Sequence, residues 1–217
     1  MSAHSGIGMT SERTRLRMVE NLRYEGITDP RVLNAMAEIP RHLFVDEGIA
    51  SRAYEDVALP IGHGQTISSP TIVALMSQLL LEKQPMGKVL EIGTGCGYQT
   101  AVLAKLVKEV YTLERIAPLM DKARAHLRDL RFYNIRFKHA DGHGGYAVGA
   151  PYDGILMAAS ATHVPESLKQ QLAVGGRMVL PVGTEDQWLW TVDRTQKGFL
   201  ETKRAAVRFV PLLPGLA

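Results

Sequence analysis

A chain of 217 residues, 46% apolar and 22% charged, suits one globular domain able to bury a sizeable core. The net charge of +3, with a pI of about 9.0, is too small an excess to argue for nucleic acid, and no basic stripe with interleaved aromatics accompanies it. The single cysteine, Cys96, excludes an intramolecular disulfide and a Cys-rich zinc site and is compatible with a reducing cytosol. No run of 18 apolar residues suggests a transmembrane helix, Met1–Thr10 lacks the pattern of a signal peptide and is expected to be a disordered tail, and no His or acid pair has metal-ligand spacing in context, so neither membrane nor metal is expected. From Ser11 to Tyr24, Leu16, Val19, Leu22 and Arg23 recur at helical spacings, with Ser11 as the cap. Thr28-Asp29-Pro30 opens a second helix whose apolar stripe is Val32, Leu33, Met36 and Ile39, and Pro40 ends it. These helices need a later part of the chain to pack on.

Ala58–Pro70 holds two glycines, two prolines and several hydroxyl or amide groups, which is unusual for a mere connector and suits a functional loop. Ser69-Pro70 reads as a cap and first residue of a helix faced by Ile72, Val73, Leu75, Met76, Leu79 and Leu80. Ser68 stands one step outside that cap and is freer for another task. His63 is read as a loop histidine with a satisfied hydrogen bond in preference to a pH-sensitive gate. Val89–Ile92 is a short buried strand feeding Gly93-Thr94-Gly95-Cys96-Gly97, and a helix follows from Gln99. A dinucleotide fingerprint would need glycine at Tyr98. The order is instead Glu91-x-Gly93-x-Gly95-x-Gly97, which resembles motif I of S-adenosylmethionine-dependent methyltransferases. Bare backbone near a helix N-terminus lets a ligand approach closely, and Glu91 is expected to hold a methionine ammonium directly or through water. Cys96 is read as a small residue that fits the loop, not a nucleophile.

Glu109–Glu114 is a second strand, and Glu114 lies 21 residues after Gly93, close to the offset of about 20 at which an acid receives ribose hydroxyls. A helix over Pro118–Leu130 and an alternating strand Ile135–His139 follow, then Ala140-Asp141-Gly142. That Asp-Gly is either a simple turn or, as its strand-end position favours, a clamp for the adenine amino group. A fourth strand is expected over Asp153–Ala159, a helix over Pro165–Leu172 stopped by Gly175-Gly176, a fifth strand over Arg177–Leu180, and two antiparallel strands over Gln187–Arg194 and Thr202–Phe209. The alternation predicts a Rossmann-like α/β fold with a mainly parallel seven-stranded sheet, helices on both faces and an N-terminal helical region. A single domain is expected, with residues 11–84 forming the N-terminal helices and substrate loop and 85–217 the cofactor-binding core and C-terminal strands.

Beyond the glycine motif, the run Leu59-Pro60-Ile61-Gly62-His63-Gly64-Gln65-Thr66-Ile67-Ser68 resembles the hallmark loop of the protein-L-isoaspartate (D-aspartate) O-methyltransferases. Pro40-Arg41 through Phe44-Val45, Val89–Thr100, Ala150–Asp153, Gly175–Gly183 and Val207–Leu212 carry the same resemblance, which spans about Leu16 to Leu213. The resemblance implies methyl transfer from S-adenosylmethionine to the α-carboxylate of L-isoaspartyl, and also D-aspartyl, residues in damaged proteins, giving S-adenosylhomocysteine. It implies Ser68 as the active-site residue, here an orienting hydrogen-bond donor and not a covalent nucleophile. Gln65, Thr66, Ile67, Ser68, Glu91, Gly93, Thr94, Gly95, Gly97, Glu114, Arg115, Asp141 and Gly142 are the expected cofactor set, and Ile67, Ser68, Val207 and Val210 the substrate set. The expected protein is a cytoplasmic monomer whose partners are isoaspartyl peptides and proteins, with no nucleic acid. Two departures, Met157-Ala158-Ala159 where threonine often precedes the alanines and His143-Gly144-Gly145-Tyr146 where tryptophan is common, bear on the adenine pocket and not on the reaction. A methyltransferase for another substrate and a binding module with a vestigial pocket are the competing readings.

Overall fold

The computed structural model describes residues 7–82 and 86–217. The expected tail lies outside the described residues as far as residue 6, as does the boundary expected at 84/85; Gly8–Thr10 form a 3-10 turn. Helices α1 (Glu12–Tyr24) and α2 (Pro30–Glu38) start as their caps dictate, with Thr14 N–H donating to Ser11 Oγ and Arg31 N–H to Asp29. The buried face of α1 is Arg15, Met18, Val19 and Leu22; Leu16, expected on that stripe, is half exposed. The stripe turns because Arg15 lays its guanidinium across to α2, donating from Nε to the Ala37 carbonyl at 2.6 Å.

The polar loop is not irregular. It folds into a small antiparallel hairpin, β1 (Leu59–Gly62) and β2 (Gln65–Ile67), and leads into α3 (Pro70–Leu81). Then come β3 (Lys88–Ile92), α4 (Tyr98–Leu106), β4 (Glu109–Glu114), α5 (Ala117–Asp129), β5 (Ile135–His139), β6 (Tyr152–Met157), α6 (Glu166–Lys169), β7 (Leu172–Val182), β8 (Gln187–Thr195) and β9 (Gly198–Val207). Seven of these strands form one sheet in the order β5-β4-β3-β6-β7-β8-β9. The first five are parallel, and β8 runs antiparallel to both β7 and β9.

Chain order reverses between β3 and β6, so a crevice opens beyond their carboxyl ends. Along the parallel strands, side chains alternate between two apolar clusters: Val89, Leu156 and Val179 face the helical side with α1 to α5, whereas Leu90, Ile155 and Met178 face the cluster that includes Leu168 of α6. Because the first cluster runs from Met18 to Leu189, the N-terminal helices and the sheet share one core.

Strand and helix boundaries differ from the sequence reading toward the C-terminal half. The fourth sheet strand ends at Met157, not Ala159, because Ser160 leaves it to exchange hydrogen bonds with Val210 and Leu212. The helix expected to Leu172 is a single turn, and β7 runs through Gly175-Gly176, which form a bulge where the register against β6 shifts. There Gly175 has φ +87°, and a Cβ on Gly176 would stand 2.9 Å from the carbonyl oxygens of Ala173 and Asp153. The last strand is Gly198–Val207, not Thr202–Phe209; the Gln187 side chain holds Phe209 by both its N–H and its carbonyl.

Candidate active site

Four strand ends build the floor of the crevice. After β3, Gly93 takes φ +93° while its N–H and that of Thr94 both donate to the Leu113 carbonyl. Only glycine tolerates that backbone at low cost. Glu114 ends β4 almost fully buried, accepting from Gly95 N–H at Oε2 and from Ile116 N–H at Oε1, each at 2.9 Å. The acid is therefore held rigid in the cleft wall with lone pairs left for a diol. After β5, Gly142 lines the same cleft, and a Cβ there would collide with the Ile92 side chain. After β6, Ala158 and Ala159 complete the floor, whereas Met157, where threonine often precedes them, is fully buried and outside the lining.

The hairpin forms one wall. Gly62, His63 and Gly64 turn it with φ of +89°, +53° and +68°, and Ile61 reaches to 3.3 Å of where a Gly95 Cβ would be. His63 is exposed at the tip, without a hydrogen-bonded side chain among the described residues, so it is not the satisfied loop histidine expected. Gln65, Thr66, Ile67 and Ser68 all line the cleft. Ser69 caps α3 by accepting from Ile72 N–H at 3.5 Å, whereas the half-buried Ser68 hydroxyl has no hydrogen-bond partner among the described residues. Val210 to Leu213 form the opposite wall, pinned by Ser160.

Of the expected cofactor residues, Gly93, Thr94, Gly95, Glu114, Arg115 and Gly142 line this cleft together with Gln65–Ser68. Three others lie outside the lining. Gly97 is a packing glycine: its φ of +92° starts α4, and a Cβ would press on Leu127 and Ala123 of α5 at 3.0 and 3.2 Å. Asp141 spends its carboxylate on its own neighbourhood, accepting from His143 N–H, contacting His143 Nδ1 and accepting from Gly215 N–H at 2.6 Å. Those bonds hold it down to about 2, the His143 amide being the main cause. Glu91 sits behind the glycine loop with no exposed surface. Its Oε2 accepts from Thr100 and Thr112 at 2.5 and 2.6 Å while Oε1 is buried without a partner. Burial raises this carboxyl to about 8. Among the substrate residues, Val210 lines the cleft but Val207 does not, because it pairs with Gln187 at the end of β9.

Arg115 lines the cleft at its strand end while its Nε donates to the Gly215 carbonyl at 2.9 Å. Ala217 N–H also donates to the Arg115 carbonyl at 2.8 Å. The C-terminal segment was not singled out from sequence, nor were Thr100 and Thr112. Thr112 stands beside Glu91 because the β3–β4 register pairs Lys88 with Glu109 and so Glu91 with Thr112, an offset that the acidic strand ends do not announce. Cys96 is buried and its thiol is pushed up to about 11 by burial, which removes it as a nucleophile at neutral pH.

A nucleoside carrying an amino-acid tail fits this donor and acceptor set. Glu114 suits a diol, Gly93 and Gly95 give bare backbone, and the Glu91 oxygen without a partner among the described residues leaves a buried polar atom beneath the loop. The family model described as protein-L-isoaspartate(D-aspartate) O-methyltransferase (PCMT) matches residues 13–216. The protein-L-isoaspartate O-methyltransferase of Methylobacillus flagellatus is 60% identical over 218 residues, covering 99% of this chain and 98% of that one. That of Nitrosomonas eutropha is 60% identical over 214 residues, covering 98% and 96%. Among solved structures, a protein-L-isoaspartate O-methyltransferase aligns with TM-score 0.84 and 28% identity over 93% of this chain and 67% of that one. A Plasmodium falciparum beta-aspartate methyltransferase (PCMT) solved in complex with S-adenosyl-L-homocysteine aligns with TM-score 0.80 and 26% identity, over 92% and 98%.

Proposed function

Because the chain belongs to the protein-L-isoaspartate(D-aspartate) O-methyltransferase family, we propose that its cleft presents an isoaspartyl carboxylate to the cofactor through Ser68. The enzyme transfers a methyl group from S-adenosylmethionine to L-isoaspartyl residues of damaged proteins, the step that initiates their repair. When bound, the cofactor supplies an electrophilic methyl on a sulfonium.

The nucleophile needs no general base, since a carboxylate with a reference pKa near 4 is already ionised at neutral pH. What remains for the protein is to position it, where effective molarities of about 10⁵ M are attainable, and to shut out water. Ser68 donates to one carboxylate oxygen and aims the other. Gln65, Thr66 and Ile67 line the boundary between cofactor and substrate, Glu114 receives the ribose hydroxyls, and Gly93, Gly95 and Gly142 let the ligand lie against backbone. Val210 bounds the substrate side.

The observation that carries this reading is the Ser68 hydroxyl without a partner among the described residues in the cleft wall, next to a serine that caps α3. An isoaspartyl peptide and its aspartyl twin, offered with labelled S-adenosylmethionine, separate the possibilities. Base-labile methanol release from the isoaspartyl peptide alone is expected; equal labelling of both, or of neither, defeats the assignment. A methyltransferase for another acceptor and a vestigial binding module have no observation in their favour. We also read the enzyme as a cytoplasmic monomer acting on peptides and proteins without nucleic acid. Among the described residues no helix is long and apolar enough to cross a membrane. A sedimentation mass near 23.9 kDa supports the monomer, and twice that value rejects it.

A further inference from the structure

A chain of hydroxyls leads from the buried Glu91 to the cleft. Thr100 and Thr112 converge on Glu91 Oε2 at 2.5 and 2.6 Å, and Thr112 Oγ1 stands 2.6 Å from Thr94 Oγ1. Thr94 lines the cleft beside Gly93 and Gly95, whereas Glu91, Thr100 and Thr112 are each 0% exposed. The second oxygen of Glu91 has no partner among the described residues. We propose that Glu91, acting through Thr112, sets the direction of the Thr94 hydroxyl, so that binding the cofactor's ammonium is accompanied by loss of the Glu91 proton through these hydroxyls to solvent.

The argument is one of hydrogen-bond polarity, since each threonine has a single proton to give. With Glu91 ionised, Thr100 and Thr112 both donate to Oε2. Thr94 must then donate into Thr112, and what it offers the cleft is a lone pair, which suits a cation. With Glu91 protonated and donating into Thr112, the Thr112 proton turns to Thr94, and the Thr94 proton turns to the cleft, which opposes a cation. Glu91 is therefore a positioning residue whose charge state is read at the pocket two hydroxyls away.

The surroundings favour the proton until a cation arrives. The charged group that faces Glu91 is Glu114 on β4, a like charge that acts in the same direction as burial. Helix α4 contributes the neutral Thr100, and the partner of Glu91 on β6 is Leu156. Together these keep the ligand-free carboxyl protonated at neutral pH, with a value near 8. An incoming ammonium supplies the missing opposite charge and makes ionisation of the buried acid less costly.

The inference rests on the cofactor reading of the cleft, and calorimetry with S-adenosylhomocysteine separates the two. Titrations at pH 7 in buffers of different ionisation enthalpy count protons released per ligand bound. The ligand's own amino group titrates alike in every variant and cancels in the differences. Wild type is expected to release about one proton more than Glu91→Gln, and its affinity to rise about tenfold per pH unit between pH 6 and 7, levelling above about 8. Thr112→Val keeps the acid but removes the hydroxyl that couples it to Thr94, so the extra proton and the pH slope should both fall well below the wild-type values there. That variant also carries the test if Glu91→Gln does not fold. Equal proton counts in wild type and Glu91→Gln, or full release in Thr112→Val, overturn the relay while leaving the cofactor site intact. Absence of binding to wild type overturns the cofactor reading itself.

Discussion

Ser69 accepts from the Ile72 amide at the start of α3, while Ser68, one residue earlier, keeps its hydroxyl free in the cleft wall. Removing each separates capping from catalysis. Ser69→Ala should cost about 1 kcal/mol of stability, seen as a lower denaturant midpoint, with kcat retained. Ser68→Ala should leave the midpoint within about 0.5 kcal/mol but lower kcat on an isoaspartyl peptide, with S-adenosylhomocysteine affinity unchanged. An unaltered kcat/KM removes Ser68 from the site. Glu114 tests the other side of the cleft, because both its oxygens accept backbone N–H groups. In Glu114→Gln one of those N–H groups meets an NH₂ donor and is left unsatisfied, at about 1–3 kcal/mol. The ribose also loses an acceptor, so ligand affinity measured by calorimetry should fall by about tenfold or more. The placement of these two residues in the cleft wall was legible in sequence: one is displaced from a cap by a single step, the other sits at a strand end at the ribose offset. Asp141 shows the limit of that signal, since an acid at a strand end looks alike whether it lines the cleft or, as here, lies outside the lining and accepts from its own loop and from Gly215. What decides is the 2.6 Å bond from Gly215, 74 residues away, and nothing local announces it.

At the level of elements, strong periodicity and caps were enough for α1, α2, α3, β3, β4 and β5, whose hydrophobic pattern and local propensity agree. Two places failed where a short-range signal had a long-range cause. The hairpin β1–β2 was read as loop because its strands are too short to show alternation, and a left-handed Gly-His-Gly turn closes it. The second place is Gly175-Gly176, which reads as a helix stop; pairing with β6 and β8 overrides the helical pattern and makes the glycines a bulge inside β7. The bulge reading makes a distinct prediction. After a helix stop, Gly176 would accept alanine at little cost. In the bulge an added Cβ meets the backbone oxygens of Ala173 and Asp153 at 2.9 Å, atoms that move only if both strands move. Gly176→Ala should therefore cost about 1–3 kcal/mol in denaturant unfolding, and a neutral result would contradict the strand pairing there.

Across the whole molecule, two buried ionisable clusters differ in kind. Arg177 on β7 is fully matched, holding Asp193 of β8 by Nε and Nη2 and reaching Glu82 and the Leu79 carbonyl near the end of α3. It ties the N-terminal helices to the antiparallel end of the sheet. Glu91 has no cation beside it among the described residues, so the fold itself should titrate with it. Burial lifts its carboxyl from an ordinary 4.5 to about 8. Between those values the folded chain holds a proton that the unfolded chain has lost, so folding takes up a proton and stability falls as pH rises through this window. Above about 8 the effect is complete, and below 4.5 it is absent. His126 works in the opposite sense, because burial holds its imidazole below 6.5 and stability is regained as pH rises toward that value. Asp141, held near 2, acts below pH 4 and lies outside the window. Since His126 and Asp141 are unchanged in Glu91→Gln, subtracting the two proteins leaves the glutamate alone. The ligand-free wild type should lose unfolding free energy relative to Glu91→Gln steadily from pH 5 to 8, then run parallel to it above about pH 8. Parallel curves across the whole range would mean that Glu91 is ionised in the folded protein and that a cation within reach of its Oε1 compensates it.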